Sequence, residues 1–238
     1  MVDMKNHNML DVNIFTNCTK NHSSNADMLI NTWQSFIQRF GVRHINSLRI
    51  FIDPRPKQKN IESYVNDIEA NLKYNHEIHI TNGLADGYIK STQVSQTDFI
   101  FQLEHDWEFL STIKHDLDFI VNCMKKEGMQ HLRFNKRANI NMPFETLTEI
   151  HSLGFKFCKT QGRSNNPHII DRKSYLDTWN NNINLSNHPK RSDGIENNLT
   201  DTLGYIYGGY QYPQQIHHTD GTGQMGFFRK LIQKIKRA

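Results

Sequence analysis

The sequence predicts an α/β protein with a mostly parallel central sheet, helices on both faces and a smaller, irregular second half. Three observations predict it. Over residues 10–110, short apolar runs alternate with stretches of helical periodicity, the order that a parallel sheet with crossover helices requires. The apolar runs end in polar or chain-breaking residues: Thr16-Asn17-Cys18, Asp53-Pro54-Arg55-Pro56, Asn82-Gly83 after Thr81, and Glu104-His105-Asp106. At 238 residues the chain has the length of one such domain, with ample residues for a sizeable core.

In order, Leu10–Phe15 reads as the first strand. Asp27–Phe40 carries Met28, Leu29, Trp33, Phe36, Ile37 and Phe40 at helical spacing and stops at Gly41. Ser47–Ile52 is the second strand, and the prolines after it forbid its continuation. Asn60–Leu72 is the second helix, Glu77–Thr81 the third strand, and Leu84–Val94 the third helix. Phe99-Ile100-Phe101 opens a fourth, buried strand that runs out into Glu104-His105-Asp106. The second half is less regular. Ile113–Lys126 reads as a helix, Gln130–Asn135 and Phe155–Lys159 as strands, and Asn165–Asp171 as a short segment. Gly194–Leu203 is helical, Tyr205–Tyr212 strand or loop, and Phe227–Arg237 a final basic helix. The expected organisation is a single domain over 1–238, with a ligand-binding half near 10–110, a second half near 111–226 and the basic helix at 227–238.

In open sheets of this kind, ligands bind beyond the carboxyl ends of the strands. Thr16, Asn17, Asp53, Arg55 and Glu104-His105-Asp106 all fall there. Alternation along a strand puts Glu104 and Asp106 on one side, where the two acids repel unless a cation sits between them. Mg²⁺ or Mn²⁺ typically takes one or two protein carboxylates and shares its shell with phosphates. The duller reading is a solvated strand end or helix cap. His217-His218, in Ile216–Gly221, offers an imidazole, which suits Mn²⁺ better than Mg²⁺. Only one of the two histidines faces a shared site if the segment is extended. A zinc site with Asp220 lacks a supporting HExxH or cysteine cluster.

Gly221–Gly226 spells G-x-G-x-x-G, but no βαβ unit follows it. It reads instead as a loop able to close over phosphates. Glu196 opens a helix, either as a favourable acid in its first turn or as a general base reaching an acceptor hydroxyl, with Asp193 the competing acid. Arg133, Lys136 and Arg137 follow the fifth strand, as a phosphate or acceptor site or as a solvated face. Lys90 joins the candidates for the nucleotide; Trp107, Arg133, Asn166 and His168 are the candidates for substrate contact.

Composition narrows the partners. A net charge of +4 and a pI near 8.9 suit nucleotide phosphates or an anionic surface. No nucleic-acid-binding pattern accompanies that charge. Only 37% of residues are hydrophobic, and no apolar stretch approaches the ~18 residues of a membrane span. Cys18, Cys123 and Cys158 are scattered and read as reduced thiols. Together these point to a cytoplasmic protein, whose amphipathic, basic C-terminal helix either packs on the domain or touches an anionic membrane surface.

With its elements in this order, the chain resembles a GT-A glycosyltransferase of small viral or bacterial type over most of Leu10–Gly226. The resemblance rests on the βα units, the Gly83 turn, the acid-x-acid at the end of a core strand, the Gly-Ile-Glu-Asn acid and the late histidine in IHHTDG. It implies a Rossmann-like sheet with an acceptor-side half, and a nucleoside-diphosphate sugar as donor, a UDP-sugar first. It also implies a saccharide or lipid-linked acceptor and bound Mn²⁺ or Mg²⁺. By residue, it implies Asp106 as the metal ligand, with Glu104 replacing the usual aspartate, and His217 or His218 as third ligand, His217 being the better match. Thr16, Asn17 and Asp53 hold the base and ribose, and Glu196 is the base of an inverting reaction. Two rivals stand beside it: a non-catalytic nucleotide- or carbohydrate-binding module, and a sugar nucleotidyltransferase. The latter is expected to carry a Gly-rich loop after the first strand, whereas Thr16–Asn25 contains no glycine.

Overall fold

The computed structural model describes residues 9–17, 25–54, 61–161, 164–182 and 204–219. Cys18, Arg55, Asp193, Glu196, the Gly221–Gly226 loop, and the helices expected at 194–203 and 227–237 lie outside these residues.

The first half follows the expected order: β1 (Leu10–Asn17), α1 (Asp27–Phe40), β2 (Ile45–Asp53), α2 (Ile61–Asn71), β3 (Glu77–Ile80), α3 (Leu84–Val94) and β4 (Phe99–Glu104). β5 (Trp107–Phe109), α4 (Leu117–Glu127), β6 (His131–Arg133), β7 (Leu147–Ser152), β8 (Phe155–Thr160) and β9 (His168–Asp171) follow. The last described elements are α5 (Arg172–Asn182), β10 (Gly204–Tyr207) and β11 (Ile216–His218). One nine-stranded sheet in the order β3-β2-β1-β4-β9-β6-β10-β8-β7 spans both halves, and β11 and β5 form a separate ribbon. β1 to β4 are parallel; β9 runs against β4 and β6, and β8 against β10 and β7.

Helices cover both faces. On one, Leu29, Trp33, Phe36 and Phe40 of α1 pack on Val12, Ile14, Phe101 and Leu103 with α2 and α4 alongside. Phe36 meets Phe101 and Phe109 edge-on at 4.9 and 5.5 Å; truncating such a buried ring costs about 3–5 kcal/mol. On the other face, Tyr88 and Ile89 of α3 and Tyr175 of α5 pack on Phe15, Phe51, Ile100 and Ile170. Gly87 lets α3 approach closely there: a Cβ would lie 3.3 Å from the Phe15 ring, a tight contact.

Four local expectations are corrected. The fourth strand ends at Glu104, and His105-Asp106 form a turn into β5. The alternation that was to put Glu104 and Asp106 on one face therefore does not extend to Asp106. α4 starts at Leu117 rather than Ile113, because Asp116 accepts the Phe119 N–H at 2.8 Å and caps the helix. The residues before it are held elsewhere: the Lys114 and His115 N–H groups donate to the Tyr207 hydroxyl. β7 is an unexpected half-exposed edge strand, joined to β8 by a turn in which Leu153 and Gly154 have φ of 47° and 82°. α5 is also unexpected: its sequence is polar, but Asp171 accepts the Ser174 N–H at 2.8 Å and starts it.

Candidate site at the carboxyl edge of the sheet

The parallel strands deliver their carboxyl ends to one edge. Asn17 pairs in register with Asp53, and Phe15 with Glu104. Thr16, Asn17, Asp53 and Glu104 thus stand side by side across β2-β1-β4, as the sequence implied. Thr16 is buried and its hydroxyl bonds that of Tyr64 at 2.7 Å. Lys90 lies on α3 in an ion pair with Asp86 at 2.8 Å, so its charge is already compensated.

Asp106 sits in the β4–β5 turn, and the β5–β11 ribbon supplies its partner. Register aligns His218 with Trp107 and His217 with Glu108. His218 Nε2 stands 3.0 Å from Asp106 Oδ2, and the Thr219 N–H donates to the Asp106 carbonyl at 2.8 Å. His218, not His217, reaches the acid; His217 takes the opposite face of the ribbon. Burial alone pushes the Asp106 carboxyl up, but the hydrogen bond from His218 and the charges of His105 and His218 hold it below its ordinary value. Its Oδ1 is buried and makes no hydrogen bond among the described residues. Trp107 is 5% exposed and lies against the His218 ring at 4.5 Å. It backs the imidazole rather than lining an open surface.

Among the described residues, no three His, Cys, Asp or Glu gather as a closed metal site. Asp106 and His218 become a two-donor set once a cation takes the place of the His218 Nε2 proton that bonds Asp106 Oδ2, and Oδ1 has no hydrogen-bond partner among the described residues. That fits a cation which completes its shell from ligand phosphates, and the imidazole favours Mn²⁺ over Mg²⁺.

His168, expected to contact substrate, is instead wholly buried between β4 and β6. Its Nε2 meets Gln102 Oε1 at 3.0 Å, its Nδ1 meets the Asn166 carbonyl at 2.7 Å, and its ring stacks on His131 at 4.7 Å. Burial drives its pKa down to about 4, with the Arg133 charge acting the same way against the Asn166 bond. It is a neutral core histidine that ties the antiparallel β9 to its neighbours.

Beyond β6 a concavity of about 220 Å³ is lined by Arg133, Lys136, Arg137, Phe144, Glu145 and Asn166, among others. Arg133 and Asn166 thus line one cleft. Arg133 is buried and its guanidinium donates to Glu145 Oε1, which also accepts from the Thr160 hydroxyl at 2.6 Å. The Asn166 amide donates to the Phe134 carbonyl at 3.2 Å. The cleft and the Asp106 pair share one strut: the Asn135 carbonyl accepts the Gln215 N–H at 2.9 Å, just before β11. Sequence reasoning missed Phe144 and Glu145, which stand in an irregular loop with no periodic signal.

No protein-family model matches the chain, and no curated protein does. Solved structures do. HddC from Yersinia pseudotuberculosis aligns over 92% of this chain and 97% of its own, at 11% identity and a TM-score of 0.52. UDP-glucose pyrophosphorylase complexed with UDP-glucose aligns over 97% and 100%, at 8% identity and 0.54. S. aureus TarS 1-349 aligns over 90% of this chain and 61% of its own, at 10% identity and 0.50. At such identities the likeness is one of fold: this chain shares its mixed α/β, Rossmann-like architecture with enzymes that include one solved with a nucleotide sugar bound.

Proposed function

We propose that the chain is a metal-dependent glycosyltransferase that moves a sugar from a nucleoside-diphosphate donor, a UDP-sugar first, to a hydroxyl acceptor. The observation that carries this reading is the Asp106–His218 pair, two metal-competent donors at the carboxyl edge of the parallel strands. Thr16, Asn17 and Asp53 stand where base and ribose would bind, and the diphosphate would lie toward Asp106. A divalent cation bound there supplies Lewis-acid stabilisation of the departing diphosphate, worth several kcal/mol. The protein's part is to hold Asp106 ionised, orient the His218 imidazole against Trp107 and keep the turn rigid. Glu196 is the acid assigned to deprotonate the acceptor in an inverting reaction.

The test is a thermal-shift and turnover comparison with UDP-, GDP-, dTDP- and CMP-sugars, with and without Mn²⁺. The wild type should be stabilised by one donor only when Mn²⁺ is present. Asp106→Ala and His218→Ala should lose that stabilisation, while His217→Ala keeps it. Unchanged turnover in Asp106→Ala would sink the metal assignment.

A sugar nucleotidyltransferase is the second reading, favoured by the end-to-end likeness to UDP-glucose pyrophosphorylase. Against it stands the absence of glycine from Thr16–Asn25. Pyrophosphate release from a nucleoside triphosphate and a sugar 1-phosphate, without sugar transfer, would select it.

A further inference from the structure

We propose that the cleft between the exit of β6 and the loop before β7 recognises an anionic saccharide, one whose ring carries a phosphate or a carboxylate. The inference rests on the transferase reading above and gives its acceptor side a chemistry.

Charge is the first argument. Arg133, Lys136 and Arg137 line the cleft, and Glu145 is the acid that lines it with them. Glu145 is engaged with Arg133, its Oε1 accepting from that guanidinium as well as from Thr160. Arg137 lies only at 3.7 Å from Glu145 Oε2, longer than a hydrogen bond. The Arg137 Nε is buried and makes no hydrogen bond among the described residues. A guanidinium carries five donors in a fixed fork that matches a carboxylate or phosphate bidentately. Arg133 is therefore the fixed wall of the cleft, and Arg137 and Lys136 are the groups with charge to offer a ligand.

The second argument is shape. Phe144 is 74% exposed, and the Arg137 guanidinium lies 5.8 Å from its ring centroid. The contact holds the cation beside an open aromatic face. An apolar face next to a cation matches a sugar ring, which presents C–H groups on one side and its anionic substituent at the edge. At about 220 Å³ the cleft is below the roughly 300 Å³ where drug-sized pockets begin. It has room for one ring of a glycan. Position is the third argument: the Asn135–Gln215 bond joins the mouth of the cleft to the strand that carries His218.

Binding is read by ligand-observed NMR on the full chain without nucleotide or metal, using glucose 6-phosphate, glucuronate, glucose and inorganic phosphate. At least one anionic sugar should bind about tenfold or more tightly than glucose. Binding of glucose 6-phosphate alone identifies phosphate as the recognised group, and of glucuronate alone the carboxylate. Arg137→Gln should weaken the bound anionic sugar about tenfold, and Lys136→Gln by less. Phe144→Ala should weaken the sugar but not inorganic phosphate. All three side chains are exposed or partly exposed, so these variants should keep the wild-type circular dichroism. Equal binding of glucose, no binding of either anionic sugar, or unchanged binding in Arg137→Gln overturns the proposal. Because no donor or metal is present, such a failure is separate from any failure at Asp106.

Discussion

Removing the Glu145 side chain is the sharpest structural perturbation available beside the cleft. Glu145 and Arg133 are each 4% exposed at the side chain, so Glu145→Ala leaves a guanidinium buried without its counter-charge. Breaking a buried pair in this way costs roughly 3–5 kcal/mol. The Thr160 hydroxyl also loses its acceptor, which keeps the expected cost within the upper part of that range. For a chain of this length, each kcal/mol lowers Tm by about 2–4 °C, so Tm should fall by roughly 8–20 °C. Urea denaturation at pH 7 gives the free energy directly. The double variant Arg133→Met/Glu145→Met removes both charges and should recover most of the loss, with a large coupling energy between the sites.

The pH dependence adds a second reading of the same pair. Burial alone raises the Glu145 carboxyl, but the Arg133 charge, the Thr160 and Arg133 hydrogen bonds and the Arg137 charge outweigh it and hold it below 4.5. A carboxylate with a depressed folded pKa contributes its full stability above the unfolded value and loses it as pH falls through the folded one. The gap between wild type and Glu145→Ala should therefore be constant from pH 7 to about 5 and close in more acid solution. A loss below about 1 kcal/mol at pH 7, or a gap that widens on acidification, refutes the view that this pair is buried and ionised.

Two further perturbations test the rest of the framework. His168 titrates near 4 in the folded chain, against 6.5 ordinarily, so the unfolded state takes up the proton first. Stability should fall by about 3 kcal/mol as pH drops from 6.5 to 4, and His168→Gln should lack that component in urea titrations at pH 7, 5.5 and 4.5. Gly208 has φ of +86°, and a Cβ there would lie 2.2 Å from Tyr212 Cγ. Gly208→Ala should destabilise by several kcal/mol, and amide exchange at Gln215–His218 should speed up because Tyr212 anchors the approach to β11.

The first half of the fold was legible because its signals are local. β1, β2 and β4 are short, mainly apolar runs closed by polar residues, β3 alternates polar and apolar, and α1 shows its buried stripe as Leu29, Trp33, Phe36 and Phe40. The strand ends that carry Thr16, Asn17, Asp53 and Glu104 follow directly from that order. The second half is set by long-range pairing. β5 and β11 are three residues each and meet only in three dimensions, so nothing near Ile216 announces that His218 will find Asp106. β7 has no clean alternation because it is an edge strand, and among the described side chains of α5 the fully buried one is Tyr175. His168 precedes an apolar pair, a context that reads alike for a ligand and for a core residue. The Arg133–Glu145 pair joins a strand to an irregular loop, where no periodicity can reveal it.

One sequence feature gains its explanation from the site. Thr32 is polar on the buried stripe of α1, beside Trp33, where an aliphatic residue would pack as well. Its hydroxyl donates to the His105 carbonyl at 2.7 Å and accepts the Trp107 N–H at 3.1 Å. The His105 N–H in turn donates to the Phe15 carbonyl at 3.0 Å. Asp106 is thus held on both sides by backbone bonds, and its own carbonyl accepts from Thr219. A turn between a core strand and a two-stranded ribbon would otherwise leave these backbone groups buried and unpaired, at a cost of about 1–3 kcal/mol each. The same bonds that satisfy the turn also fix the direction of the Asp106 carboxylate that His218 reaches. Acid-x-acid at this strand end therefore depends on a threonine of α1 and a histidine near the far end of the chain. The second acid is the one that these bonds hold.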